Sequence, residues 1–284
     1  TRTFLKVQDG CSYNCSFCTI PMARGKSRSD TVANVIVHAH ELADKGVKEI
    51  VLTGVNLGDF GISETGSVAG ARRNETFLQL IQELEKVEGI ERYRISSIEP
   101  NLLTNDIIAF VAGSKKFMPH FHIPLQSGSN RILGLMRRRY KRELYAERVA
   151  VIKALMPHCC IGADVIVGSP GETEEDFRAT CDFLEGLDVS YLHVFTYSER
   201  DHTAALSIKP VVPVHTRHER NKILRSLSYR KMRYFTGQHM GQTREVLFES
   251  RNKEGMMEGY TDNYIKIAAP YREELVNTVT AWTV

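Results

Sequence analysis

Cys11, Cys15 and Cys18 lie in the stretch DGCSYNCSFC at residues 9–18, three thiols close enough along the chain to converge on one metal centre. Zinc and iron–sulfur clusters both take thiolate ligands. A structural zinc site asks for a fourth donor, which His38 or His122 could supply. A cubane cluster has four irons, so three protein thiolates leave one iron with an open coordination position. An open position suggests chemistry, and a full ligand set suggests structure. Unliganded core thiols are a third reading, since free cysteines pack as small hydrophobes. The spacing favours the cluster with one iron free for a ligand.

The other cysteines read differently. Cys159 and Cys160 are a vicinal pair, and Cys181 stands inside a helical pattern. Nothing suggests secretion, so disulfides are not expected and these three thiols are expected to be structural.

Positioning a reactive loop requires a scaffold, and the alternation of elements supplies one. Short β-branched runs at 3–8, 49–54, 93–98, 121–126, 161–168 and 191–198 read as strands, with helical spacing over 30–46, 75–87, 104–113, 142–156 and 173–186. In GSPGETEEDF, Thr173 can cap a helix with Asp176 in its first turn. Six β–α repeats with crossover-length connections imply a parallel α/β sheet, either open or curved into a partial barrel. In both, ligands collect at the C-terminal ends of the strands. The unusual residues obey that rule. The cysteine loop follows the first strand, TGVNLGD the second, Glu99-Pro100 the third, Gln126-Ser127-Gly128 the fourth, Gly168-Ser-Pro-Gly-Glu the fifth and Ser198-Glu199-Arg200 the sixth. Cys159 and Cys160 precede the fifth strand and so fall at the opposite end.

Beyond residue 238 the pattern changes. Residues 243–250, 259–268 and 274–284 read as strands joined by hairpins, with a turn at RNKEG (251–255), which suggests a small antiparallel barrel or sheet. The expected domains are 1–238, closing on a basic helix, and 239–284. The second has five Lys/Arg against seven Asp/Glu, so its charge does not argue for RNA. Residues 215–233 hold seven Lys/Arg against the single acid Glu219, and RRRYKR at 137–142 is a second basic cluster. The bland reading of either is a solvated helix face. A net charge of +3 is too mild to imply nucleic acid by itself. The 284 residues, 42% of them hydrophobic, suffice for one large α/β domain and a small appendage. No run approaches a membrane span and no leader precedes the first strand, so a soluble, cytoplasmic protein is expected. Residue 1 is Thr, and apolar alternation begins at once in TRTFLKVQ, as in a domain cut from a longer protein or a processed chain.

Cys-x3-Cys-x2-Cys after the first strand of a β/α domain, with Phe17 before the last cysteine, resembles the radical S-adenosylmethionine (SAM) superfamily. KVQDGCSYNCSFCTIPMARGKSRS (6–29) looks like the opening motif of its methylthiotransferases. IPLQSGSNRILGLMRRRY, DVIVGSPGETEEDF and HVFTYSERDHTAA are similar to later motifs of that family, and the segment with GYTDNYIKI looks like its TRAM domain. The resemblance covers nearly the whole chain. It implies a partial (β/α)6 TIM-type barrel followed by a small antiparallel β TRAM domain. It also implies a [4Fe-4S] cluster on Cys11, Cys15 and Cys18, whose open iron chelates the amino and carboxylate groups of SAM. An electron from the cluster would cleave SAM to methionine and a 5′-deoxyadenosyl radical, with the protein orienting the cofactors and excluding water. KVQDGC followed by IPMARGKSRS looks most like the branch that exchanges the C2 hydrogen of N6-threonylcarbamoyladenosine at tRNA position 37 for a methylthio group. The alternatives are the branches acting on isopentenyladenosine or on an aspartate of a ribosomal protein, and a non-catalytic, metal- or cluster-stabilised RNA-binding module.

Roles carried over by motif position follow the same order. Gly54 and Asn56 in TGVN would lie beside the SAM amino group, and Glu99 would bind ribose hydroxyls. Gln126 would offer a donor and an acceptor. Arg138 would pair with the SAM carboxylate in bidentate fashion, with Arg137 and Arg139 as flanking alternatives. Gly168 and Pro170 would form a loop beneath the adenine. The substrate would be a tRNA anticodon loop, whose unstacked bases can be splayed out and read. Arg217, Arg220, Lys222, Arg225, Arg230, Lys231 and Arg233 would meet its phosphates. A flavodoxin or ferredoxin would supply the electron, and no membrane is involved. Family members carry three more cysteines upstream, holding a second cluster associated with sulfur delivery. The 284 residues here are therefore expected to bind one cluster and cleave SAM without completing methylthiolation alone.

Overall fold

Alternating side chains give each long strand two unlike faces, and this decides the architecture. The computed structural model describes residues 1–61, 75–251 and 255–284, with backbone alone at 250 and 251. The chain runs β1 (Arg2–Lys6), β2 (Gln8–Asp9), α1 (Ile20–Arg24), β3 (Arg28–Ser29), α2 (Val32–Asp44), β4 (Glu49–Thr53), α3 (Phe77–Leu84) and β5 (Arg92–Ile95). It continues through α4 (Asn105–Gly113), β6 (His120–His122), α5 (Asn130–Leu135), α6 (Arg142–Leu155), β7 (Cys160–Val167), α7 (Glu174–Gly186), β8 (Tyr191–Thr196) and α8 (Val214–Gly237). Four further strands follow: β9 (Thr243–Arg251), β10 (Met256–Thr261), β11 (Lys266–Pro270) and β12 (Val279–Thr283).

The six expected parallel strands are present. β1, β4 and β5 pair in parallel, as do β6, β7 and β8. A parallel bridge between Tyr93 and Phe117, and the Ile98 N–H donating to the His122 carbonyl at 3.1 Å, join the two sets in chain order. On one face Ile50, Leu52, Tyr93, Phe121, Ile161 and Val165 pack with helix residues such as Ala39, Leu80, Ile108 and Ile152 into one continuous core. On the other face Arg2, Phe4, Val51, Arg94, His122 and His193 line a single cavity of about 270 Å³. The first and last strands share that cavity, so the sheet curves through a partial barrel. Helix entries are set locally: Thr31, Thr76, Thr104, Ser129 and Thr173 each accept a hydrogen bond from a backbone N–H of the first turn. Thr173 and Asp176 form the expected reciprocal cap. Among the described residues no helix is long and apolar enough to cross a membrane.

Beyond the unexpected short helices α1 and α5 and the shortening of the expected strand over 121–126 to β6, the structure differs from the sequence expectation in three places. The two-residue pairing of β2 with β3 joins segments about twenty residues apart and carries no periodicity to read. The expected strand over 259–268 is two strands, β10 and β11. The chain reverses between them because the Thr261 hydroxyl donates to Asn263 and accepts from the Ile265 N–H, while Tyr264 takes a left-handed φ of 69°. The expected strand over 274–284 begins as a 3₁₀ turn and is extended only in β12. Most of the expected RNKEG turn lies outside the described residues.

β9 to β12 form an antiparallel sheet in the order β11-β10-β9-β12. It packs against the N-terminal ends of the barrel strands, opposite the cysteine loop. Arg94, 2% exposed, donates to the carbonyls of Asp262 at 2.9 Å and Thr261 at 2.7 Å, and its Nε donates to Glu49 at 2.9 Å. Arg92 donates to the Tyr260 carbonyl at 3.2 Å. Cys159 and Cys160 are fully buried at this end, where burial pushes the Cys160 thiol up to about 12. Arg94→Met leaves the Glu49 carboxylate buried and unpaired, and is expected to cost about 3–5 kcal/mol. Adding Glu49→Gln is expected to restore part of that loss, with urea unfolding of the single and double variants as the check.

Candidate active site

The cysteine loop is held by one buried amide. Gln8, 2% exposed, donates through Nε2 to the carbonyls of Asp9 and Gly10 and to the Ser27 hydroxyl, at 2.9–3.0 Å, and its Oε1 accepts from the Asn56 N–H at 2.8 Å. Gly10 has a φ of 66°, and a Cβ there would lie 2.1 Å from the Lys26 carbonyl, so the loop crosses itself where only glycine fits.

Each sulfur has an N–H donor. The Tyr13 N–H reaches Cys11 Sγ at 3.4 Å, the Ile20 N–H reaches Cys18 Sγ at 3.4 Å and the Arg138 guanidinium reaches Cys15 Sγ at 3.2 Å. Such donors stabilise thiolate charge and suit cluster ligands. Burial pushes the Cys11 thiol up to about 11 and raises that of Cys15, so assembly of a cluster must release protons. A single zinc ion is a poorer fit. Its sulfurs would stand about 3.8 Å apart for Zn–S bonds of about 2.3 Å. Among the described residues, the set whose donor atoms all lie within 4.8 Å is His122, Asp164 and His193, and the three cysteines are not such a set. His122 belongs to that other set, and His38 is exposed on α2 beside Glu41.

Beside the sulfurs, Arg138 is buried and also donates to Glu99 and, at 3.3 Å, to the Tyr140 hydroxyl. Burial raises the Glu99 carboxyl despite the opposing pull of Arg138. The two residues expected to take different parts of SAM are thus each other's partners. Sequence spacing could not show this, because they are 39 positions apart. Arg137 and Arg139 are exposed, and Arg139 lies 3.9 Å over the Tyr13 ring, leaving Arg138 as the arginine bonded to a cysteine sulfur.

The remaining expected cofactor residues frame the same end of the sheet. Gln126 takes a φ of 67°, and its buried Oε1 has no hydrogen-bond partner, an acceptor suited to a ligand. Asn56 is buried with its amide on Asp59 at 2.9 Å and its Oδ1 unpartnered. Gly54 lets Gln8 approach, since a Cβ there would lie 2.8 Å from Gln8 Oε1. Gly168 has a φ of 75° and faces Arg217, which a Cβ would strike at 2.3 Å. Phe17 meets Ser169, Pro170 and Tyr197 around a void of about 10 Å³, far smaller than an adenine ring. These residues fit a cluster and a polar cofactor at the strand ends.

The basic helix requires correction. Arg217 is 4% exposed and bonds Glu199 at 2.6 Å and the carbonyls of Tyr197 and Val212. Arg220 is 6% exposed and bonds Glu172 at 2.7 Å, whose carboxylate also accepts the Gly168 N–H at 2.6 Å. Neither is available to phosphate; both brace the Gly168 loop. Lys231 is half-buried and donates to the Leu187 carbonyl at 2.7 Å. Lys222, Arg225, Arg230 and Arg233 are exposed. Charge counts do not distinguish a buried guanidinium with a carboxylate partner from a solvated one.

Sequence reasoning also passed over a polar set inside the curve of the sheet. Asp164 Oδ1 lies 2.9 Å from His122 Nε2 and 3.3 Å from His193 Nδ1. Burial alone would raise the Asp164 carboxyl, but the two imidazoles prevail and hold it at about 2. The signal was present in the alternation: His122, Asp164 and His193 occupy the non-core phase of β6, β7 and β8.

A parallel, helix-covered partial barrel with three sulfurs beyond its first strand defines a class, and the family model agrees. The chain belongs to the radical SAM superfamily, whose model matches residues 5–184. It is similar to the threonylcarbamoyladenosine tRNA methylthiotransferase MtaB of Bacillus subtilis, 39% identical over 98% of this chain and 61% of the relative. The corresponding Aquifex aeolicus protein is 41% identical over 94% and 62%. The tRNA-2-methylthio-N(6)-dimethylallyladenosine synthase of Wolinella succinogenes is 36% identical over 98% and 64%. The chain thus spans about three-fifths of these relatives. In fold it is similar to the radical SAM methyltransferase TsrM from Kitasatospora setae (TM-score 0.58, 18% identity, 71% of this chain and 35% of that one). It is also similar to the coproporphyrinogen III oxidase HemN from Escherichia coli (TM-score 0.53, 16% identity, 83% and 52%).

Arg138→Met removes a cation beside Cys15. In cluster-loaded protein it is expected to lower the midpoint potential on the order of 50 mV, because the reduced cluster carries more negative charge. An EPR-monitored redox titration checks the sign, and an unchanged or raised potential would contradict it.

Proposed function

We propose that this chain is the radical SAM and C-terminal portion of an enzyme that replaces the C2 hydrogen of N6-threonylcarbamoyladenosine at tRNA position 37 with a methylthio group. The observation that carries the substrate choice is sequence identity. Threonylcarbamoyl enzymes of Bacillus subtilis, Aquifex aeolicus and Rickettsia prowazekii stand at 38–41% identity, against 33–36% for the dimethylallyl synthases, among which a threonylcarbamoyl enzyme of Chlamydia pneumoniae falls at 34%.

In this reading Cys11, Cys15 and Cys18 hold a [4Fe-4S] cluster that, when bound, supplies the electron for cleaving SAM. Arg138 keeps a positive charge at Cys15 and Gln126 offers its unpaired oxygen to the cofactor. The loop at Gly168 is braced by Glu172 and Arg220. Residues 1–238 form the catalytic unit and 239–284 a TRAM-like unit. Lys222, Arg225, Arg230 and Arg233 remain as exposed cations for tRNA phosphates, and a flavodoxin or ferredoxin supplies the electron. Cys159 and Cys160 are buried at the far end of the sheet, so the residues here hold one cluster, and sulfur insertion needs a second, held by other cysteines.

The test is reductive SAM cleavage by anaerobically reconstituted protein with synthetic anticodon stem-loops. About four irons per chain, and 5′-deoxyadenosine formation stimulated several-fold by the threonylcarbamoyl loop over the dimethylallyl loop, are expected. Equal stimulation would overturn the substrate, about eight irons the single cluster, and no 5′-deoxyadenosine the chemistry.

A further inference from the structure

The cysteine loop and its neighbours leave one constellation of donor groups without a role. We propose that His122, Asp164 and His193 form a binding site for a single divalent transition-metal ion, separate from the cluster and open to the inner cavity.

The three residues stand on adjacent parallel strands. Asp164 on β7 pairs in register with His193 on β8, and His122 on β6 pairs with Gly162, two positions before Asp164. The strand phase that sends Ile161, Ala163 and Val165 into the core sends these three side chains the other way. Their donor atoms all lie within 4.8 Å of one another, with Asp164 Oδ1 at 2.9 Å from His122 Nε2 and 3.3 Å from His193 Nδ1. Donors bound at about 2.0–2.2 Å to one ion stand about 3.0–3.4 Å apart, close to both Asp164–histidine distances.

Two imidazoles and one carboxylate suit zinc, ferrous iron or cobalt, whereas magnesium and calcium prefer oxygen donors alone. Such a set leaves coordination positions open. The outer arrangement also fits. His122 Nδ1 lies 3.4 Å from the Tyr191 hydroxyl, which lies 3.1 Å from His120 Nε2, and a partner on the second ring nitrogen is usual for a ligating histidine. The His193 side chain is 55% exposed, so an ion can enter from the cavity.

The competing account is a hydrogen-bonded His–Asp–His bridge that ties three strands together and binds nothing. It differs from a metal site by protons only, so a metal titration separates the two. The open positions face the inner cavity.

The experiment uses cluster-loaded, chelator-washed protein, so the three cysteines are already occupied. Cobalt(II) is titrated anaerobically and followed by EPR, in which the resting cluster is silent, with metal analysis after dialysis. One cobalt per chain, displaced by one equivalent of zinc, is expected. His193→Gln and Asp164→Asn are each expected to weaken binding at least tenfold while keeping the cluster absorption that reports a folded chain, and His38→Ala is expected to bind as the unaltered protein does. Failure of the unaltered protein to bind cobalt would overturn the proposal, as would equal binding by both cavity variants. The titration requires neither tRNA nor SAM cleavage, so its failure would leave the proposed function standing, and the reverse also holds.

Discussion

The side chain of Gln8 is the contact on which the reactive end of the molecule depends. A three-sulfur site works only if the sulfurs are held before the metal arrives, and a loop of this length has little intrinsic order. Gln8 uses both ends of its amide to tie the loop's start, the Ser27 hydroxyl and the Asn56 backbone into one buried unit. The close approach of Gly54 and the crossing at Gly10 exist to admit that unit. With Gln8 only 2% exposed, each of these bonds is expensive to break.

The curvature of the sheet then divides the labour. One strand phase builds a conventional apolar core under the helices, and the other lines an inner cavity in which Arg94, His122 and His193 stand among Phe4, Val51 and Ile95. The floor of that cavity is shared: Tyr264 from the C-terminal sheet lies 4.3 Å from the His120 ring, and Arg94 ties the turn at 261–262 to β5. Tyr264 is therefore part of the chamber wall. A change in how that sheet sits would be felt by the groups inside.

Charge has to be read with its partners. The run 215–233 looks like a phosphate-binding face when its arginines are counted, yet Arg217 and Arg220 have turned inward to Glu199, Glu172 and Glu174. Those acids come from loops and helix starts that precede the arginines they bind by 18 to 48 positions. Their effect is to fix the Gly168 loop, so the basic helix serves the strand-end site from behind.

Much of this protein is legible in its residues. Six parallel strands, their helices, the Thr173 cap and the gathering of Cys11–Cys18, Glu99, Gln126 and Gly168 at one end follow from periodicity and turn chemistry, because these are local properties. The burial of Cys159 and Cys160 at the other end follows from the same logic. What required the folded chain is pairing at a distance: Glu99 with Arg138, Gln8 with Asn56, Arg220 with Glu172, and His122 with Asp164 and His193. The break of 259–268 into two strands belongs with these, since it depends on bonds made by Thr261 and Asn263. Sequence by itself determined which side chains face which way along each element. Only tertiary structure decided which of them meet, because the partner of a buried polar group is chosen by the packing of distant strands and not by its neighbours in the chain.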